Sequence, residues 1–197
     1  MIAIFDYGAG NLQSVQNTLA EIGAAYTLTR DSGGLRAASK IILPGVGHFG
    51  QMMRALDALE VRQTLLERIA AGVPFLGICL GLQALLTESE EAAETPGLGL
   101  YPGAVRRFPP DARVPHMGWN QLESKAPSKL LLNLPPRPYV YFAHSYYVPE
   151  GPGTAARCTY GLPYTAVLED RNVFGVQFHP EKSGPVGLRI VRNFLEI

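Results

Sequence analysis

The chain is expected to fold as an α/β protein: a doubly wound, mostly parallel sheet with helices on both faces, extended by further strands into one mixed sheet. Three observations carry this. Short apolar runs alternate with helical periods through the first half, a rhythm that builds βαβ units. A cysteine stands between glycines directly after one of those runs, at Gly77-Ile78-Cys79-Leu80-Gly81. From Tyr101 on, short β-like pieces separated by turns replace the alternation, with frequent proline and tyrosine.

Ile2 to Phe5 reads as a strand, followed by a helix from Leu12 to Ile22 with Leu12, Val15, Leu19 and Ile22 on one side. Ala25 to Thr29 and Lys40 to Leu43 are further strands, the second closed by Pro44-Gly45. Helices are expected at Phe49 to Leu56 and Glu60 to Ala71, then a strand at Pro74 to Ile78. After Cys79, Leu82-Gln83-Ala84-Leu85-Leu86 is apolar at helical spacing. The acidic stretch Glu88 to Glu94 reads as a solvated loop or helix end. In the second half, strands are expected at Ala104 to Phe108, Tyr139 to Phe142, Thr154 to Thr159, Tyr164 to Glu169 and Val173 to Phe178, some antiparallel. A helix from Val186 to Leu195 closes the chain. The 197 residues favour a single domain, 1–197, with a sizeable core.

Composition excludes several classes. Seventeen basic and seventeen acidic residues cancel, which removes the electrostatic case for nucleic acid or an anionic membrane. No apolar run reaches the length of a membrane span, and no targeting segment is expected at the start. Two cysteines make no disulfide framework, so a reducing cytoplasm is the simplest setting. No His/Cys/Asp cluster has metal-ligand spacing and no glycine-rich phosphate loop is evident, so neither a metal nor a nucleotide cofactor is expected.

Strand, glycine turn and helix around Cys79 is the geometry of a nucleophile elbow. A thiol there also meets the positive end of a helix dipole, which favours thiolate. The competing reading is a buried structural cysteine. A cysteine nucleophile needs a base, and the base an orienter. Phe178-His179-Pro180-Glu181 offers both directly after a strand. In an extended segment, His179 and Glu181 point to one side, so the carboxylate can hold one imidazole nitrogen while the other faces the thiol. Leu43-Pro44-Gly45-Val46-Gly47 also follows a strand. Its glycines permit backbone angles that turn an N–H towards a developing oxyanion, though an ordinary turn is the plainer reading.

Together these motifs resemble the triad-type class I glutamine amidotransferases over nearly the whole chain. The resemblance implies a three-layer αβα domain with a mixed central sheet, and hydrolysis of L-glutamine to glutamate and ammonia through a γ-glutamyl thioester. It implies a catalytic set of Cys79, His179 and Glu181, and oxyanion donors at Leu80 and Val46. Substrate contacts are implied at Gly45, Gly47, Gln83, Ser145 and Tyr146. Three further stretches narrow the likeness: Asp6-Tyr7-Gly8-Ala9-Gly10-Asn11-Leu12, His116-Met117-Gly118-Trp119-Asn120 and His179-Pro180-Glu181-Lys182-Ser183. They are similar to the branch that feeds ammonia to a (β/α)8-barrel cyclase subunit in histidine biosynthesis. For that heterodimer, Asn11, Met117, Trp119, Tyr141 and Lys182 are the implied partner face. His116, His144, His48 and Cys158 receive no catalytic role. Glutaminases serving vitamin B6, anthranilate, purine or pyrimidine synthesis, and a non-catalytic relative, stay as alternatives.

Overall fold

The computed structural model describes residues 1–9 and 11–197; Gly10, part of the Asp6–Leu12 stretch, lies outside the described residues. The first half runs β1 (Ile2–Phe5), α1 (Leu12–Ile22), β2 (Tyr26–Thr29), α2 (Ser32–Ala37), β3 (Lys40–Gly45), α3 (Phe49–Ala58), α4 (Arg62–Ala70) and β4 (Phe75–Cys79). It continues through α5 (Leu80–Gln83), β5 (Leu86–Ser89), β6 (Tyr101–Arg107), β7 (His116–Gln121), β8 (Glu123–Ser124), β9 (Tyr139–His144) and β10 (Tyr146–Tyr147). Last come β11 (Thr154–Tyr160), β12 (Leu162–Asp170), β13 (Val173–Val176), a 3-10 turn at Pro180–Lys182, and α6 (Gly184–Glu196).

The main sheet has the order β2-β1-β3-β4-β13-β12-β11-β8. The run from β2 to β13 is parallel, and β12, β11 and β8 add on antiparallel. Strands β1, β4 and β13 are buried at every residue, as strands covered on both faces must be. Alternation then sorts their side chains: Ile2 and Ile4 enter one core, Ala3 and Phe5 the other. The first core also takes Val15 and Leu19 of α1 with Ile190 and Phe194 of α6. The second takes Leu35, Phe49, Met52, Leu56, Leu65 and Ile69 from α2, α3 and α4. Helices therefore cover both faces, as expected. Among the described residues, no helix is long and apolar enough to cross a membrane.

Two expectations need correction. The segments Ala104–Phe108 and Tyr139–Phe142 do not extend the main sheet. β6 pairs with β5 and β10, and β9 pairs with β7, in two small separate sheets. On β9, Val140, Phe142 and His144 turn inward while Tyr139 is exposed, so the ribbon needs only one covered face. The helix after Cys79 is a single turn, not a run to Leu86. Leu86 starts β5, and the Ala84 carbonyl accepts from the Leu98 N–H at 2.7 Å, so the chain has left helical geometry there. With so short a helix, the dipole at Cys79 is weaker than the sequence suggests.

The acidic stretch is more engaged than a solvated loop. Glu90 pairs with Arg106 at 2.7 Å, and a Glu91 carboxylate oxygen accepts from the Phe49 N–H at 2.7 Å at the start of α3. His48 is the N-cap of that helix, its Nδ1 accepting from the Gly50 N–H at 3.1 Å.

Candidate active site

Three neighbouring parallel strands, β3, β4 and β13, end together at one sheet edge. Their register pairs Gly45 with Cys79 and Val176 with Ile78, so the turn after β3, the cysteine and the segment Gln177–His179 emerge side by side. Such carboxyl ends are where α/β sheets build sites. Cys79 sits at φ 55°, ψ −104°, a conformation that a non-glycine residue adopts only under constraint. The glycines around it are needed for close approach. A Cβ on Gly81 would run into the Leu43 carbonyl oxygen, and one on Gly77 into the Gly81 carbonyl.

His179 Nδ1 lies 2.8 Å from Glu181 Oε1, and both side chains are almost fully buried. The two meet because Glu181 sits in the 3-10 turn, not because the segment stays extended. Cys79 is the other side chain that bears on the imidazole. Burial works to lower the His179 pKa, but the bonds to Cys79 and Glu181 outweigh it and raise the imidazole to about 10. Among the described residues, Glu181 Oε2 is buried with no hydrogen-bond partner.

A cleft of about 210 Å³ opens beside Cys79. It is lined by Val46, Gly47, Leu80, Gln83, Ser145 and Tyr146, with Glu91, Met117 and His144 also on the wall. That volume suits one small metabolite rather than a larger ligand. Gly45 is not on the wall; it packs beneath, where a Cβ would meet Leu80 Cβ at 2.7 Å. Gln83 Nε2 donates to the Tyr146 carbonyl at 2.9 Å and to Gln177 Oε1 at 3.1 Å. Both donor hydrogens are thus engaged inward, leaving Gln83 Oε1 as its offer to a ligand, an acceptor suited to an ammonium group. The Val46 N–H is engaged by the Tyr7 hydroxyl.

Met117 and Trp119 are exposed at 64% and 56%. Trp119 and Tyr141 face each other across β7 and β9 with ring centroids 6.0 Å apart, and Lys182 Nζ sits 5.9 Å from the Tyr141 ring. These three form one row leading from the surface to the residue after Glu181. Asn11 stands just before α1, at the edge where β1 ends.

Sequence reasoning misses four residues. Gln177 is fully buried and its Nε2 approaches Cys79 Sγ at 3.6 Å. Tyr7 holds the turn after β3. Tyr164 and Asn120 complete a buried chain of hydrogen bonds with His116 and His144. His144 Nδ1 must donate to the Tyr146 carbonyl at 2.8 Å, so its Nε2 accepts from the Tyr164 hydroxyl at 3.3 Å. The Tyr164 oxygen then accepts from His116 Nδ1 at 3.0 Å, and His116 Nε2 accepts from Asn120 Nδ2 at 3.4 Å. Burial lowers His116 to about 4 and His144 to about 3, which keeps both neutral and fits this single arrangement. The only sequence signal is polar residues at inward positions of β7, β9 and β12. Cys158 lies buried beside this network, its thiol pushed up to about 11 by burial.

The model of the glutamine amidotransferase class-I family matches residues 3–197. Imidazole glycerol phosphate synthase subunit HisH of Methanothermobacter thermautotrophicus is 52% identical over 198 residues, covering 100% of this chain and 98% of its own. The HisH subunit of Desulfitobacterium hafniense is 47% identical over 196 residues, covering 98% and 93%. A glutamine amidotransferase crystal structure superposes with a TM-score of 0.78 at 21% identity, covering 99% of this chain and 97% of that one. A cysteine, a histidine and a carboxylate converge at one sheet edge, in a fold and a sequence shared end to end with these proteins: the chain belongs to the class-I glutamine amidotransferase family, alongside the HisH subunits of imidazole glycerol phosphate synthase.

Proposed function

We propose that this chain is the glutaminase subunit of an imidazole glycerol phosphate synthase. It hydrolyses L-glutamine to L-glutamate and ammonia. The ammonia passes to a (β/α)8-barrel cyclase subunit, HisF, which forms imidazole glycerol phosphate and aminoimidazole carboxamide ribotide in the cytoplasm. Residues 1–197 act as one amidotransferase domain. The observation that carries this reading is that Cys79 and the hydrogen-bonded pair His179–Glu181 follow neighbouring parallel strands beside a metabolite-sized cleft.

In this reading the Cys79 thiolate attacks the side-chain amide carbon of glutamine. The oxyanion is held by the Leu80 N–H and by one from the Gly45-Val46-Gly47 turn; losing such a donor costs about 2.7–4 kcal/mol of barrier. The protonated His179, favoured by its neighbours, gives its proton to the departing ammonia. It then takes a proton from the water that hydrolyses the thioester, while Glu181 fixes its tautomer. Gln83 Oε1 receives the α-ammonium group of the substrate. The row Trp119–Tyr141–Lys182, with Met117 and Asn11, meets the cyclase.

Glutaminase activity should be measured for the wild type and Cys79→Ala, each with the cyclase and its nucleotide substrate. Activity is expected only in the wild type. Equal rates would remove the triad reading, and failure of the folded chain to bind the cyclase would favour another pathway's glutaminase.

A further inference from the structure

The Tyr7 hydroxyl grips the turn that ends β3 at two points. It accepts from the Val46 N–H at 3.1 Å and donates to the Val46 carbonyl at 2.9 Å. Those atoms belong to successive peptides, Gly45–Val46 and Val46–Gly47. Turning over either one breaks a bond to Tyr7, so the grip bears on whichever N–H of this turn is to face the oxyanion. The turn is loosely packed at Gly47, at φ +95°, where a Cβ would meet nothing nearer than Gln51 Oε1 at 4.0 Å. Tyr7 is held more firmly. Its side chain is buried in the core that holds Phe5 and Leu43, and it leaves β1 at the sheet edge where Cys79 lies. Burial, opposed by the Val46 bond and helped by the charges of Cys79 and Asp6, raises the phenol to about 12, so it keeps the proton it donates.

We propose that Tyr7 is a positioning residue, a clasp that keeps the Val46 N–H out of the oxyanion site until the partner shifts the segment carrying it. This rests on the glutaminase reading above. The link to the partner is short. Tyr7 opens the stretch that leads to Asn11, four residues on, and the Gly8 N–H is tied back to Asp6 Oδ1 at 2.8 Å. A contact at Asn11 therefore pulls on the clasp without touching the triad.

The test is Tyr7→Phe, which keeps the ring and removes both bonds. The isolated variant should hydrolyse glutamine about tenfold faster than the isolated wild type, with KM unchanged and a smaller further gain in the cyclase complex. A structural role alone would lower the rate. A rate in the isolated variant that is unchanged or lower overturns the clasp. A second measurement needs no variant: in the wild-type complex with an electrophilic glutamine analogue on Cys79, both Tyr7–Val46 bonds should be broken, and their persistence also overturns it. If the wild-type complex has no Cys79-dependent glutaminase activity, the functional reading falls and the clasp with it. If it has that activity and Tyr7→Phe is silent, only the clasp falls.

Discussion

Removing one oxygen from Tyr164 should destabilise the whole chain. Tyr164 is fully buried at the junction of two histidines, and its hydroxyl both accepts from His116 and donates to His144. Tyr164→Phe leaves the His116 Nδ1–H and His144 Nε2 without partners. The rings of Phe108 and Phe142 pack against this junction at centroid distances of 5.6 and 6.0 Å from Tyr164, which keeps water from replacing the lost oxygen. Each orphaned buried group costs about 1–3 kcal/mol, so the pair costs about 2–6 kcal/mol. A chain of this size loses roughly 2–4 °C of Tm per kcal/mol, giving a drop of roughly 4–24 °C. Urea unfolding should show a lower midpoint at unchanged slope, the mark of lost stability rather than an altered unfolded state. Because His144 also holds the Tyr146 carbonyl that receives Gln83, KM for glutamine should rise as well. A loss below about 0.5 kcal/mol would mean that the one-way chain of donors from Asn120 to Tyr146 is not the arrangement present.

Two other predictions use the same observations. Stability should peak near pH 6.5 through opposite histidine effects. His116 and His144 stay neutral in the fold, so the unfolded chain takes up more protons below pH 6.5 and stability falls as pH drops towards 4. His179 is raised to about 10, so its contribution is full below pH 6.5 and is lost as pH rises through 10; in His179→Gln the alkaline decline should flatten, and a wild-type profile without that decline would refute the assignment. Trp119→Ala should weaken cyclase binding by about 2 kcal/mol or more while leaving Tm within a degree or so, since the ring is over half exposed; calorimetric titration checks the first and differential scanning the second.

The parts of this molecule that follow from local pattern were readable in the sequence. Burial on both faces makes β1, β4 and β13 continuous apolar runs, and the glycines at 77 and 81 announce a close crossing of backbone. His179 and Glu181 are neighbours in the chain, so their pairing needs no long-range knowledge. Strand partners are another matter. Nothing in Ala104–Phe108 says that its neighbours are β5 and β10 rather than the main sheet, since pairing is decided by packing between distant segments. Tyr7, Gln177 and Tyr164 were silent for the same reason. Each acts on atoms 39, 98 and 48 residues away, and a single tyrosine or glutamine carries no periodicity.

The two halves of the site are held in different ways, and this bears on where control can act. The proposed acid–base half is fastened to the proposed partner face through main chain. The Tyr141 carbonyl accepts from the His179 N–H at 2.9 Å, the Tyr141 N–H donates to Ser183 Oγ at 2.9 Å, and that hydroxyl donates to the His179 carbonyl at 2.6 Å. Movement of β9 therefore carries His179 with it, and the His179–Glu181 bond is short at 2.8 Å. The proposed oxyanion half hangs on one phenol and a glycine turn. A signal at the row Trp119–Tyr141–Lys182 thus meets a short, buried pair, whereas a signal reaching Tyr7 meets a turn held by two hydrogen bonds. Control of this kind changes how well the transition state is held and not how well glutamine sits in the cleft. Activation by the partner should accordingly appear in kcat with little change in KM, and an activation carried by KM would place the switch at Gln83 and Tyr146 instead.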